Sequence, residues 1–216
     1  MNLFINYLFT DPSYFFAMAL LVMFSISFHE FCHAWVALRE GDPTAADAGH
    51  LTLNPLKQMG LVSLFMFAIV GIAWGQVPVN PHNFRRKHSD VLVSFAGPAA
   101  NLILVVVFAI LTAALVAFGQ DTEQIEFSAN MLWRGSVLNV VLFVFNLLPV
   151  PGFDGWNIFS ALFPRFRQLN TSEFVKGAIF VVLMLAFFLI DYLFLIGRVV
   201  ASLLTRFFIL IFERIG

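Results

Sequence analysis

Residues Tyr14–Leu38 read YFFAMALLVMFSISFHEFCHAWVAL, and this stretch decides how the rest of the chain is read. A membrane-spanning helix takes about 20 predominantly apolar residues, and this run has that length before it ends at Arg39–Glu40. Near its far end it carries His29, Glu30 and His33. A charged group inside a span costs on the order of 3 kcal/mol on insertion scales unless it is paired or functional. Residues four apart share one face of a helix, so His29 and His33 can grip one Zn2+ with Glu30 beside it as general base for a water. The bland alternative is a buried polar knot or an interfacial histidine cluster. Three such groups gathered near one end of an otherwise apolar helix weigh against it.

The composition agrees with a lipid solvent. Of 216 residues, 60% are hydrophobic and only 12% charged, against about 25% charged in soluble domains. The length suits a single domain over 1–216. A net charge of -1 offers no basic surplus, so no nucleic-acid partner is expected. The one cysteine, Cys32, allows no intramolecular disulfide and reads as a small packed thiol on another helix face. Met1–Pro12 holds no Lys or Arg, so a cleaved signal peptide is not expected. Neither an internal repeat nor an appended soluble domain is evident.

Further apolar runs cover Gly60–Trp74, Val91–Phe118, Met131–Val150 and Phe174–Phe212. The last would measure about 58 Å as one helix, so it is expected to break, near Gly197–Arg198. Gln76–Pro81 reads as a short edge strand, since prolines forbid a central one. The loops after Arg39, at Arg85–Lys87 and at Arg165–Lys176 are basic, whereas Asp121–Glu126 is acidic. With basic loops in the cytosol, the chain starts outside, and the first span runs inward. Gly60–Trp74 then enters and leaves on one side as a re-entrant segment, and three more spans follow. The tail from Val199 is either an interfacial helix or a sixth span. The fold class expected is an all-α polytopic membrane protein of about five transmembrane helices (four to six) with a short re-entrant segment.

A catalytic zinc needs a third protein ligand and an open position for water. Asp154 is the candidate, just beyond Pro149-Val150-Pro151-Gly152 at the end of the fourth run. That break would unwind the helix and free the carboxylate to turn inward, at a depth similar to His33. An ordinary turn is the alternative.

The pair of motifs, His29-Glu30-x-x-His33 in an early span and Asn146-x-x-Pro149-x-x-x-x-Asp154-Gly155 in a later one, resembles the site-2 protease family of intramembrane zinc metalloproteases. Ala96-Gly97-Pro98-Ala99-Ala100-Asn101, Leu51–Pro55 and Val77–Pro81 also match family patterns, so the resemblance covers roughly residues 20–160. It implies one Zn2+ per chain held by His29, His33 and Asp154, with Glu30 activating the water and Asn146 as an oxyanion donor. It also implies a small membrane-associated β-sheet around Val77–Pro81, able to pair with an unwound substrate. The activity implied is hydrolysis of peptide bonds in or near the transmembrane segments of protein substrates, within the bilayer of the cell membrane and toward the cytosolic side. The catalytic core would be about 14–160, with 174–216 as the C-terminal part. Gly152-Phe153 departs from the Pro-Leu of many relatives, which bears on packing, and no PDZ or CBS segment is recognisable.

Other residues take lesser roles. His50, His82 and His88 fall in polar loops and read as surface groups. Asn101 with Gly97 reads as a small-residue helix contact or as a substrate contact. Asp191 either pairs with Arg198 or marks a boundary. Two rival functions use the same ligands, a metal transporter and a catalytically inactive scaffold. The apolar character of the third and fourth runs up to Asn146 speaks against the first, and the complete Glu30 and ligand set against the second. Oligomeric state is not legible.

Overall fold

The computed structural model describes residues 3–163, 177, 184 and 188–215. The first long helix, α1 (Pro12–Arg39), starts where the Asp11 carboxylate accepts a hydrogen bond from the Tyr14 amide at 3.0 Å, with Pro12 in the first turn. It is followed by α2 (Gly60–Val70), α3 (Ser89–Phe118), α4 (Glu123–Asn146), α5 (Asp154–Leu162) and α6 (Ile190–Ile215). Among the described residues, α1, α3, α4 and α6 are long and apolar enough to cross a membrane. The protein is therefore an all-α, multi-pass membrane protein.

Helix α3 is the hub, packed against α1, α4, α5 and α6. Small residues make this possible. A Cβ on Gly135 would lie 3.1 Å from Leu21 and Phe108, so its absence lets α4 close on both neighbours. Nearby, Ser136 Oγ donates to the Val105 carbonyl across the α3–α4 contact at 3.0 Å. Leu20, Phe16, Leu102, Ile103 and Leu203 point outward, which suits contact with lipid.

The connection from α1 to α3 is held by buried polar side chains rather than by a sheet. The fully buried Asp42 carboxylate accepts from the Asn80 amide at 2.7 Å, Asn83 Nδ2 at 2.8 Å and the Thr44 amide at 3.1 Å. Burial works to raise its pKa, but these hydrogen bonds prevail and hold it below the usual carboxylate range. Glu40 is lowered as well, by the Ser89 hydroxyl first and the Arg86 guanidinium beside it. Buried Gln58 donates to the carbonyls of His50 and Thr52 at 2.8 and 2.6 Å. Asn54 and Asn80 each cap a single turn that opens on a proline, Pro55 and Pro81.

Three expectations need correction. No strand forms among the described residues, so the edge strand at Gln76–Pro81 and the small β-sheet are not present there. Pro78 and Pro81 have no amide to donate, Asn80 spends its own on Asp42, and Gln76 bonds to the Gln58 carbonyl at 3.0 Å. The expected break at Gly197–Arg198 is also absent, because α6 runs unbroken through it. Gly197 serves close packing there: a Cβ would sit 3.0 Å from the Val137 carbonyl oxygen on α4. The tail from Val199 is thus the continuation of α6, and no ion pair joins Asp191 to Arg198 among the described residues. Finally, the acidic loop before α4 is shorter than expected. Thr122 caps the helix, and Glu123 and Glu126 sit in its first turn, where the helix dipole favours acids. The loop with Arg165 and Arg167 lies outside the described residues, as does most of 174–187.

Candidate metal centre

His29 and His33 lie one turn apart on the buried face of α1, ten and six residues from its end at Arg39. Asp154 reaches them from the start of α5. The chain leaves α4 at Asn146, turns through Gly152 in the left-handed region (φ +98), and re-enters a helix at Asp154. The turn folds tightly, since a Cβ on Gly155 would strike the Leu147 and Leu148 carbonyls. It delivers the carboxylate against both rings: Asp154 Oδ2 is 3.1 Å from His29 Nε2, and Oδ1 is 3.3 Å from His33 Nε2. The two Nε2 atoms are 3.0 Å apart. Among the described residues, this is the group of histidine, cysteine and acidic side chains whose ligand atoms converge, all within 4.8 Å of one another.

The protons around these atoms decide what the cluster fits. His33 Nδ1 lies 2.7 Å from the Val93 carbonyl oxygen, which can only accept, so Nδ1 carries the hydrogen. His29 Nδ1 lies 2.7 Å from Asn101 Oδ1 and donates there. Neutral rings then turn lone pairs on both Nε2 atoms toward each other and toward the carboxylate. Asp154 Oδ2 is buried and receives no hydrogen bond. A proton on one Nε2 satisfies one of these contacts, whereas a divalent cation satisfies all three. Two imidazoles and a carboxylate, with Asn101 Oδ1 and the Val93 carbonyl accepting from the outer ring nitrogens, form a donor set that suits zinc.

Room for the ion comes from α3. Gly97 faces the cluster, and a Cβ there would collide with both Nε2 atoms. The site opens into a cavity of about 680 Å³ whose lining includes Glu30, Trp74, Gly75, Asn146, Asp154 and Asn157. Glu30 is buried, and a Cβ on Gly75 would strike its carboxylate, so the chain after α2 passes directly over it. That chain is tied back on α2, where Ser63 Oγ accepts from the Trp74 amide at 2.9 Å and donates to the Trp74 carbonyl at 2.6 Å.

All five residues singled out from the sequence, His29, Glu30, His33, Asn146 and Asp154, therefore line one cavity. His50 bonds to Gln58, and His82 and His88 stay exposed, away from this cluster. Asn101, read as a packing or substrate contact, is fully buried between helices and is also the hydrogen-bond partner of His29. The sequence reading also missed Asn139, Ser25 and the Val93 carbonyl. The signal available was a lone Asn or Ser in an apolar helix, which is costly unless partnered.

Comparison with known proteins gives the following. Residues 115–190 match the profile of Peptidase family M50. The Bacillus subtilis protein YwhC, provisionally named a zinc metalloprotease, is 38% identical over 152 residues, covering 68% of this chain and 69% of YwhC. Rip2 of Mycolicibacterium smegmatis, named in the same way, is 38% identical over 141 residues, covering 62% of this chain and 52% of Rip2. Rip2 of Mycobacterium tuberculosis is 36% identical over 154 residues, covering 66% and 54%. The match thus spans about half the length of the two Rip2 proteins. No solved structure matches the chain.

Proposed function

The chain belongs to peptidase family M50, the site-2 proteases, and on that premise we propose that it is an intramembrane zinc metalloprotease acting at the cluster of His29, His33 and Asp154. Its substrates are membrane proteins, cut within or near their transmembrane segments. The observation that carries this reading is the convergence of two Nε2 lone pairs and one carboxylate from distant parts of the chain, with Glu30 in the same cavity.

His29, His33 and Asp154 would hold the ion, and the cavity beside them would admit water. Bound Zn2+ supplies a Lewis acid and brings the pKa of water near 7. Glu30 accepts the water's proton at its carboxylate and returns it to the leaving amine nitrogen. No hydrogen bond to Glu30 is formed among the described residues, which leaves that carboxylate free for the task. Asn146, half-buried at the end of α4, offers its amide N–H to the carbonyl oxygen as negative charge develops. A helical substrate hides its peptide bonds, so it unwinds before cleavage. The irregular chain from Trp74 to Val79 walls the cavity where the unwound segment would lie. Helix α2 and its return act as a re-entrant segment, residues 1–216 as one domain with a core at about 14–160, and the site faces the cytosol from the cell membrane.

The test is cleavage of a membrane-spanning protein by the purified full chain, wild type against Glu30→Gln. Expected is a variant that keeps its zinc and loses hydrolysis by about 10²-fold or more. Equal cleavage by both would overturn the assignment.

A further inference from the structure

Three buried polar side chains join helices α1, α3 and α4 behind the metal cluster. Asn101, Asn139 and Ser25 are all fully buried. Asn101 Nδ2 donates to Asn139 Oδ1 at 2.9 Å. Asn139 Nδ2 donates twice, to the Gly135 carbonyl and to Ser25 Oγ, both at 2.9 Å. Buried polar side chains in a bilayer need partners, and here each contact constrains the next.

The chain of constraints has one direction. The Gly135 oxygen is a backbone carbonyl and can only accept. It therefore takes the amide end of Asn139 and turns Oδ1 toward Asn101. That oxygen accepts only, so Asn101 must present its own amide to it and its Oδ1 to His29. Asn101 Oδ1 in turn accepts from His29 Nδ1, so the ring proton stays on Nδ1 and the lone pair on Nε2 faces Asp154. An asparagine that turned its amide end to His29 would put the ring proton on Nε2 and block the ligand position.

We propose that Asn139, through Asn101, is a positioning residue that fixes the tautomer of His29, with the Gly135 carbonyl as the anchor that gives the relay its polarity. This rests on the zinc reading above. Ser25 is the informative contrast. It is as buried as Asn139 and belongs to the same network, but a hydroxyl both donates and accepts, so it imposes no polarity.

The test measures Zn2+ affinity of the full chain in detergent by competition with a chromogenic chelator, together with thermal unfolding of the zinc-free chain. Asn139→Leu cuts the relay off from its Gly135 anchor and is expected to weaken zinc binding by about tenfold or more, the range seen when outer-shell partners of metal ligands are lost. Ser25→Ala is expected to leave the affinity within about threefold of wild type, below that range. If the network were interhelical glue alone, both variants would unfold earlier and both would bind zinc as wild type does, which would overturn the proposal. A variant-free readout stands beside these: 15N-labelled histidine in the zinc-loaded wild type should show His29 ligating through Nε2 with the proton on Nδ1, and ligation through Nδ1 would overturn the relay even if Asn139→Leu does not fold. Failure of the zinc reading looks different, because the wild type would then bind no zinc and the relay would fall with it.

Discussion

Two glycines act on the chemistry at the scale of a single methyl group. Gly97 sits in α3 against both imidazole Nε2 atoms, and Gly75 lies over the Glu30 carboxylate. Secondary-structure propensity alone says Gly97→Ala should stabilise α3, since Ala is better than Gly by about 1 kcal/mol in a helix interior. The geometry says the opposite for the site. Gly97→Ala is expected to bind zinc at least about tenfold more weakly, measured by chelator competition, because the added Cβ occupies the space of the ligand atoms. Gly75→Ala should keep its zinc and lose about 10²-fold in cleavage rate, the scale of a displacement near 1 Å at a catalytic group. If Gly75→Ala lost zinc instead, the chain after α2 would be supporting the ligands and not Glu30. What the sequence made legible at this scale followed from spacing: His29 and His33 share a face whatever helix they sit on, and Pro149, Pro151 and Gly152 announced that Asp154 was free to turn. The bond from Asn101 to His29 was not legible, because a motif within one helix does not say which neighbouring ring it meets.

Outside α2, the connection between α1 and α3 holds only single helical turns and irregular chain, so its stability rests on named side chains. Asp42 gathers Thr44, Asn80 and Asn83 around a carboxylate fully buried at the end of α1. Its folded pKa lies below the ordinary value of about 3.9. The unfolded chain then takes up the proton first as pH falls, so this group's stabilisation is complete above that value and disappears as pH drops through the folded pKa. Asp42→Asn places an amide among donors and should cost about 1–3 kcal/mol at pH 7, read as a lower melting temperature in detergent. The gap between wild type and variant should narrow as pH falls below about 4; a gap that stayed constant would show that the charge on Asp42 contributes nothing. Glu40 is lowered too, and comparing variants at one site removes its contribution from the difference. This element also shows why the expected strand failed. Alternating Val77-Pro78-Val79 looks like an edge strand by composition, yet the available amides at Gln76 and Asn80 are claimed by Gln58 and Asp42. Gly197 misled in a related way, because a glycine in an apolar helix marks a break or a close contact, and only the facing helix distinguishes them. The spans themselves were legible because apolar length needs no partner to be recognised.

For the whole molecule, the direction of the helices places the site. The end of α1 at Arg39, the start of α3 at Ser89 and the end of α4 at Asn146 all belong to the side of the bundle that carries the metal cluster, while the α3–α4 connection at Gly119–Thr122 lies on the other. At 1.5 Å per residue, His33 and His29 sit about 9 and 15 Å along α1 from Arg39, which, with Arg39 at the lipid boundary, would put them within a hydrocarbon core about 30 Å thick. Arg85, Arg86 and Lys87 lie just before α3 on the cluster's side, and Asp121 lies on the opposite one. By the positive-inside rule, the cluster's side is expected to face the cytosol. In a Cys32→Ala background, which removes the chain's one native thiol, Lys87→Cys and Asp121→Cys each place a single thiol on an exposed residue. A membrane-impermeant maleimide should label Lys87→Cys in inside-out vesicles and not in right-side-out ones, and Asp121→Cys in the reverse pattern. Labelling of both from one side would break the antiparallel order of α3, and a full exchange of the two patterns would turn the active site to the outside, with its water and its access for substrates drawn from that face.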